Sequence, residues 1–541
     1  MQSTFFYSRL AQVATMPGSI VKKALGRGED ERGVIAVLFA ILILPLMTVM
    51  AIAIDLSQFL VMKQQLRSAL DAAALDIAQQ PTLSNAAATS EVQAFITANY
   101  PVLSVIGRLQ SVTVTRATTS VVITATASMN TNFLQIIGYS TLGVTVSSQS
   151  SATLNKLEVV LVLDNTGSMS NTYGSMSGID GLQTAATTLV NTLFASDPTL
   201  QYVKVGIVPF TATVNVGTQY AAASWLDTTG AGSLTRENLN VPVAQGLIQF
   251  ATKLQNARWG GCVRQRAEPY DIQDVAPTAS FPETLYTPYF APSEPSGLYN
   301  HYLPDGSFAI GTTQAQIQYS VTKYTNGSVQ NLPDYGPGFD CTVQPVIRLT
   351  NDKTAILNEI NAMDAGGATV VPAGLMWGWH LLSPNGPFGD GVAYTNIQTI
   401  KAIILVTDGQ NDVQLSGSTT PTNGFNKSVY SAYGYGSGPH LNILALPVSK
   451  VGVQDQSNYN IDQKEIQLCN NIKAVTDAYG NPGRIKIYAI GFGSSINSNA
   501  LSLLSQCASS SSNYFYNPTS DALIATFQKI ATGLNQLRIS R

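Results

Sequence analysis

The sequence predicts an α/β protein with a doubly wound, mostly parallel sheet and a long loop-rich insertion, preceded by a transmembrane helix and a small α+β stem. Three observations predict it. The runs Glu158–Leu163 and Lys401–Thr407 are short, aliphatic and not alternating, and each leads straight into an aspartate, Asp164 or Asp408. Such runs fit strands buried on both faces, as in a parallel sheet covered by helices. Val34–Ile54 holds no charge in 21 residues, long enough to span a bilayer as a helix. Between these regions, Ser111–Thr115, Ser120–Ser128 and Val144–Thr153 are rich in Thr, Val and Ser, the composition of strands.

Length and composition narrow the function classes. A chain of 541 residues predicts two or three domains. A net charge of −3 and a charged fraction of 11% argue against a nucleic-acid partner. The four cysteines, Cys262, Cys341, Cys469 and Cys507, contain no C-x-x-C pair, which disfavours zinc. An even number suits two disulfides in an oxidising compartment, with three connectivities open.

Residues 1–32 carry Arg9, Lys22, Lys23, Arg27 and Arg32 and no core pattern. This basic excess before the span places the N-terminus in the cytoplasm and the bulk of the chain periplasmic or extracellular. The alternative is a cleaved signal peptide ending near Ala51-Ile52-Ala53. Helical spacing continues without a break through Leu56, Phe59, Leu60, Leu66, Leu70, Ala73, Ala74 and Ile77. An unbroken helix over 34–79 is roughly 70 Å long, half of it needing a protein partner for its apolar stripe. The strand-like runs supply that partner. The expected units are a segment 1–32, a span 33–55, a stem 56–152 and a large domain 153–541.

Glu31–Ala40, then Asp55, then Leu66–Leu75 resemble the TadE/TadG-like N-terminal segment of Flp (Tad) pilus-assembly proteins. Related pilin-like members carry Glu where this chain has Leu38, which puts cleavage after Gly33 in doubt. The resemblance implies a single-pass protein of the bacterial inner membrane that associates with other pilus-assembly or pilin-like proteins.

In the large domain, Ile179–Phe194 reads as a helix and Tyr202–Phe210 as a strand. Helices are expected over Thr350–Met363, Pro372–Leu382, Asp462–Tyr479, Ala500–Leu504 and Ala522–Leu534, with a strand over Arg484–Gly491. Periodicity fades over about 217–345 and again over 410–460, two insertions far longer than ordinary connections. The first holds Trp225, Trp259, Tyr286, Tyr289, Phe290, Tyr299, Tyr302, Tyr324 and Tyr335. Exposed, they suit recognition; buried, they are the core of a subdomain. Cys262 and Cys341 are placed to staple it. Cys469 and Cys507 pair by their nearness in the order of elements.

The candidate site begins after the first buried strand. Asp164, Thr166 and Ser168, at spacings i, i+2 and i+4, offer hard oxygen ligands with one full negative charge. A divalent cation such as Mg²⁺ takes such oxygens. Alone the pattern equally describes a turn and a helix N-cap. Two later elements add to it: the turn Gly366-Gly367-Ala368-Thr369, and Asp408 after the second strand. In that order they resemble the metal-ion-dependent adhesion site of von Willebrand factor A domains. The resemblance implies a Rossmann-like fold and Mg²⁺, or Mn²⁺ or Ca²⁺, held by Asp164, Thr166, Ser168, Thr369 and Asp408. It implies a carboxylate-bearing protein or surface ligand. The family usually has Ser where this chain has Thr166, which keeps the hydroxyl. A TadG-like protein joins the two segments in the same order, for pilus assembly, surface adhesion, or as a purely structural module. Asp164–Ser168 also looks like the phosphorylation loop of P-type ATPases, with Asp408 and Asp412 holding Mg²⁺. A single span and the unexplained Thr369 turn argue against that reading. The histidines, His301, His380 and His440, form no catalytic pattern, and no enzymatic activity is expected.

Overall fold

The computed structural model describes residues 31–539, apart from 79, 81–82, 101–105, 117–119, 152–154, 198–199, 255–257, 297–298, 325–335, 414–425, 427 and 442–455. Residues 1–32, expected to be a cytoplasmic segment, lie almost entirely outside these. Two compact units result, Met1–Ala152 and Thr153–Arg541.

The first unit is built on α1, Glu31–Ala78, which runs unbroken through Pro45. Among the described residues it is the one helix long and apolar enough to cross a membrane. Its two halves differ. Leu42, Leu46, Met47, Val49 and Met50 are exposed, whereas Met62, Leu66, Leu70, Ala73, Ala74 and Ile77 are buried. The second half packs on the antiparallel sheet β1 (Arg108–Arg116), β2 (Ser120–Asn130) and β3 (Thr141–Ser151). Strict alternation in β2 buries Val121, Ile123, Ala125, Ala127 and Met129 against the helix. The other face keeps the hydroxyl pairs Thr124–Ser147 and Thr126–Thr145, as a half-solvated sheet should. A helix not read from the sequence, α2 (Asn85–Asn99), completes the core with Ala88, Val92 and Ile96. Its start is marked by the Ser84 hydroxyl, which accepts from Ala87 N.

The second unit is a mixed α/β body. Its main sheet is formed by β4 (Lys156–Asp164), β5 (Val203–Phe210), β8 (Ile347–Thr350), β9 (Thr399–Thr407), β10 (Ile485–Phe492) and β11 (Tyr514–Asn517), and the two-residue strands β6 (Val214–Asn215) and β7 (Cys262–Val263) pair separately. The sheet order is β11-β10-β9-β4-β5-β8, parallel throughout except for the antiparallel edge strand β8. Two expectations are corrected here. The helix expected from Thr350 begins at Lys353, because Ile347–Thr350 pairs as the edge strand. The helix expected over Asp462–Tyr479 runs from Gln456 to Ala474, and Gly480 and Gly483 follow at positive φ.

Both faces of the sheet are covered. Leu157, Val159, Leu161 and Leu163 of β4 join a cluster with α3 (Gly178–Ala195), α4 (Lys353–Ala362) and α8 (Ser520–Ile539). Val160 and Val162 point the other way, toward α5 (Val371–Leu382), α6 (Gln456–Ala474) and α7 (Ser498–Cys507). Every residue of α5 is buried. A helix apolar all round belongs inside a protein, and the first insertion is what buries its outer side.

That outcome closes the question of the aromatics. Trp225, Trp259, Tyr286, Tyr289, Phe290, Tyr302 and Tyr324 are buried. Trp377 of α5 stacks with Tyr286 at 4.7 Å and meets Trp225 at 5.9 Å. These rings are core; of the aromatics named from the sequence Tyr299 is exposed and Tyr335 lies outside the described residues, and elsewhere in the first insertion Phe281 and Tyr319 are exposed. Disulfides Cys262–Cys341 and Cys469–Cys507 close the insertion and tie α6 to α7.

Candidate functional site

The two central strands, β4 and β9, lie side by side, and both aspartates emerge at their C-terminal ends. Asp164 is the last residue of β4, and Asn165 N still donates to Phe210 O of β5 at 2.9 Å. The chain then turns tightly. Asp164 Oδ1 accepts from Thr166 N at 2.8 Å, the local bond that makes an Asx turn. Thr407 Oγ1 of β9 donates to Asp164 Oδ2 at 2.6 Å.

Bonds between side chains link three of the five expected site residues, Thr166, Ser168 and Asp408, and Asp164 joins them through the Thr166 amide. Thr166 Oγ1 and Ser168 Oγ lie 3.1 Å apart, and Ser168 Oγ donates to Asp408 Oδ1 at 2.5 Å. Thr369 joins through its backbone. Gly167 N donates to Gly367 O at 3.0 Å and Gly366 N to Asn165 O at 2.8 Å, so the glycine turn lies against the Asp164 loop. Gly367 has φ +86°, a conformation that excludes most side chains. Thr369 and Asp412 exchange backbone bonds at 2.9 Å in both directions, tying the turn to the Asp408 loop. Asp164, Thr166, Thr369 and Asp408 are buried, whereas Gly167 and Gly367 are exposed and Ser168 is half-buried. The cluster therefore meets solvent past glycines.

Several supporting residues gave no signal in the sequence. Tyr173 OH donates to Asp408 Oδ2 at 2.9 Å and lies 3.0 Å from Ser495 Oγ. Its ring rests edge-on against Phe492 at 5.1 Å. Asn411 Oδ1 accepts from Val371 N, the first residue of α5, and its amide donates to Asp462 and Glu465 at 2.8 and 2.7 Å. Asp412, the second cation ligand of the phosphotransferase reading, instead accepts from Asn458 Nδ2 at 3.1 Å.

Electrostatics set the character of the site. Burial, and then the charge of Asp164, push the Asp408 carboxyl up to about 7. Burial likewise raises Asp164. Two carboxylates in a dry site disfavour each other's ionisation, and a cation reverses that. Among the described residues no group of three or more His, Cys, Asp or Glu is placed to hold a metal. Any metal shell here must therefore draw on hydroxyls. Thr166 and Ser168 supply them, and all-oxygen donors fit a hard cation. His380 is buried and bonded to the Tyr286 hydroxyl, and burial and then the charge of Arg266 lower its pKa.

Glu465, buried beside Asn411, is pushed up to about 8 by burial and by Asp462. Its folded state binds the proton more tightly than the unfolded chain does. Its contribution to stability is therefore complete below the usual glutamate range and is lost as pH rises toward 8. Asp408 acts with the same sign toward 7 in metal-free protein. Glu465→Gln keeps the acceptor for Asn411. Urea unfolding at pH 5 and 8 is expected to show a smaller loss of stability with pH for this variant than for wild type. Equal losses would show that Glu465 does not titrate in this range.

A family model described as Flp pilus-assembly TadE/G-like matches residues 33–80. No curated protein matches the chain. Among solved structures the chain is similar to the pilus adhesin SpaC of Lactobacillus rhamnosus GG, at 12% identity and TM-score 0.32, over 80% of this chain and 34% of that one. It thus spans about a third of the length of SpaC. It is similar to the vWF domain of the type V pili tip protein Mfa5 of Porphyromonas gingivalis, at 12% identity and TM-score 0.32, over 72% of this chain and 97% of that one. The PilB minor pilin of Streptococcus sanguinis gives 12% identity and TM-score 0.32, over 80% of this chain and 78% of that one. The functional reading rests on the chain's own residues and on the match at 33–80.

Proposed function

We propose that this is a pilus-associated protein held in the membrane by α1, whose second unit is a von Willebrand A-like, doubly wound domain that binds a ligand through a divalent cation. The observation that carries the reading is the hydroxyl–carboxylate cluster of Asp164, Thr166, Ser168 and Asp408 at the ends of adjacent central strands, with the Thr369 turn hydrogen-bonded against it. The match at 33–80 supports the pilus association. The uncharged run in α1, after a basic segment, supports a cytoplasmic N-terminus.

In this reading Asp164, Thr166, Ser168, Thr369 and Asp408 hold Mg²⁺ or Mn²⁺. The cation supplies a Lewis-acidic position that a carboxylate of the partner completes. The protein's own part is orientation. Thr407 and the Thr166 amide fix the Asp164 carboxylate, Tyr173 fixes Asp408, and the glycines leave an opening for an incoming group. In this reading selectivity for the partner comes from residues around that opening.

Thermal unfolding of fragment 153–541, which has its own core on both faces of the sheet, tests the cation site. Millimolar Mg²⁺ or Mn²⁺ is expected to raise the midpoint by several degrees over chelator, because a ligand of the native state alone must stabilise it. Identical midpoints in metal and chelator would overturn the metal-dependent part of the reading.

A further inference from the structure

The stem carries an apolar surface that its own fold does not use. The loop between β2 and β3, residues 131–140, reads TNFLQIIGYS. Leu134 turns inward, while Phe133, Ile136, Ile137 and Tyr139 are 40, 80, 52 and 45% exposed. The loop is not frayed. Thr131 N donates to Ser140 O at 3.0 Å and Tyr139 N to Leu134 O at 3.0 Å, closing it as a compact unit. Four large apolar side chains gathered on an ordered tip mark an interaction surface.

Its position says what covers it. Asp55 on α1 accepts three backbone N–H bonds from the loop: Asn132 at 3.0 Å, Phe133 at 2.8 Å and Leu134 at 2.7 Å. Asp55 is the first residue after the uncharged run Val34–Ile54. The loop is therefore clamped level with the end of the span. Exposed apolar residues continue past that level on the helix, with Leu56, Leu60 and Val61, and the next charge on α1 is Lys63, about 12 Å further along at 1.5 Å per residue. Between Arg116 and Lys156 the chain has no Asp, Glu, Lys or Arg, so the loop brings no charge of its own to the lipid, and the Asp55 carboxylate against it is satisfied by its amides. Tyr139 supplies the amphipathic ring that favours a headgroup level.

We infer that the loop Thr131–Ser140 is a second membrane contact, lying in the lipid interface with Phe133, Ile136 and Ile137 entering the acyl boundary beside α1. A helix alone leaves its tilt and rotation free, whereas an interfacial anchor beside it fixes both. Asp55 then has a specific task. Its three N–H partners hold the loop at membrane level and keep a carboxylate satisfied where water is scarce. The inference rests on α1 being a span.

All four cysteines are paired, so an introduced cysteine is the only free thiol. Ile136→Cys in the full chain, labelled with a bimane and reconstituted into phosphatidylcholine–phosphatidylglycerol vesicles, tests the inference. Met47→Cys reports the span, and Gln149→Cys, near the far end of β3, reports the solvated sheet. Lipids brominated in the upper acyl chain are expected to quench the label at Ile136 and spare that at Gln149. Lipids brominated near the chain ends should quench Met47. Ile137→Cys repeats the reading if Ile136→Cys does not fold. A label at Ile136 open to aqueous iodide overturns the inference. So does one shielded from both iodide and brominated lipid, which would make the occupant another protein chain. An unquenched Met47 label removes the span and the inference with it.

Discussion

Replacing Asp164 by Asn is expected to abolish the response of the second unit to divalent cations without weakening the metal-free protein. The substitution is isosteric. Its carbonyl can still accept from Thr166 N, and its amide can donate to Thr407 Oγ1, which accepts in place of donating. What changes is charge. In metal-free wild type Asp164 and Asp408 are both buried and each hinders the other's ionisation. Removing one carboxylate relieves that conflict, so the variant in chelator should be as stable as wild type or more so at pH 8. In Mg²⁺ the order reverses, because the cation gains two carboxylates in wild type and one in the variant. A loss of about 100-fold in affinity removes about 2.7 kcal/mol of ligand-linked stability. The check is the unfolding midpoint of both proteins in chelator and in Mg²⁺. A variant that still responds to Mg²⁺ like wild type would place the cation elsewhere. A variant weaker in chelator would make Asp164 a structural residue of the turn.

Lys401→Met is expected to destabilise the second unit by about 3–5 kcal/mol, the cost of leaving a buried charge without its partner. Lys401 and Glu158 face each other across β9 and β4, with side chains 0 and 3% exposed. Lys401 Nζ donates to Glu158 Oε2 at 2.5 Å and to Leu382 O, the last residue of α5, at 2.7 Å. The ammonium thus joins the sheet to the C-terminal end of the buried helix, where a positive charge also suits the helix dipole. In the variant, Glu158 retains only its bonds from Val392 N, at 3.2 and 3.3 Å, and the Leu382 carbonyl loses its donor. The double variant Glu158→Gln/Lys401→Met carries no buried charge and should recover most of the loss. Urea unfolding of the single and double variants settles it. A single variant within error of wild type would show that the pair contributes nothing net.

Elements whose signal is local were legible in one dimension. The uncharged run and its helical continuation set α1, because lipid length and a 3.6-residue period are both readable in one dimension. The runs ending in Asp164 and Asp408 read as strands buried on both faces, and they are adjacent parallel strands. The order of hydroxyls and carboxylates named Asp164, Thr166, Ser168, Thr369 and Asp408, and the structure brings their loops together. Short edge strands escaped notice. β8 and β11 have four residues each, too few to show a period, and exist because a neighbouring strand pairs with them.

Features that depend on which surfaces meet are set by the packed fold. Aromatics in a loop-rich insertion have the same composition whether they bind a partner or bury a helix; α5, apolar on every side except at His380, takes several of them as its cover. Glu158 and Lys401 each put a charge inside a buried strand, and parallel register sets the two opposite each other. Ser495 reaches the site from beyond β10, while Tyr173 and Asn411 follow the Asp164 and Asp408 loops closely, and what each of them supports was set by packing. A local pattern records what one segment needs. Which segment meets that need is set by packing in three dimensions.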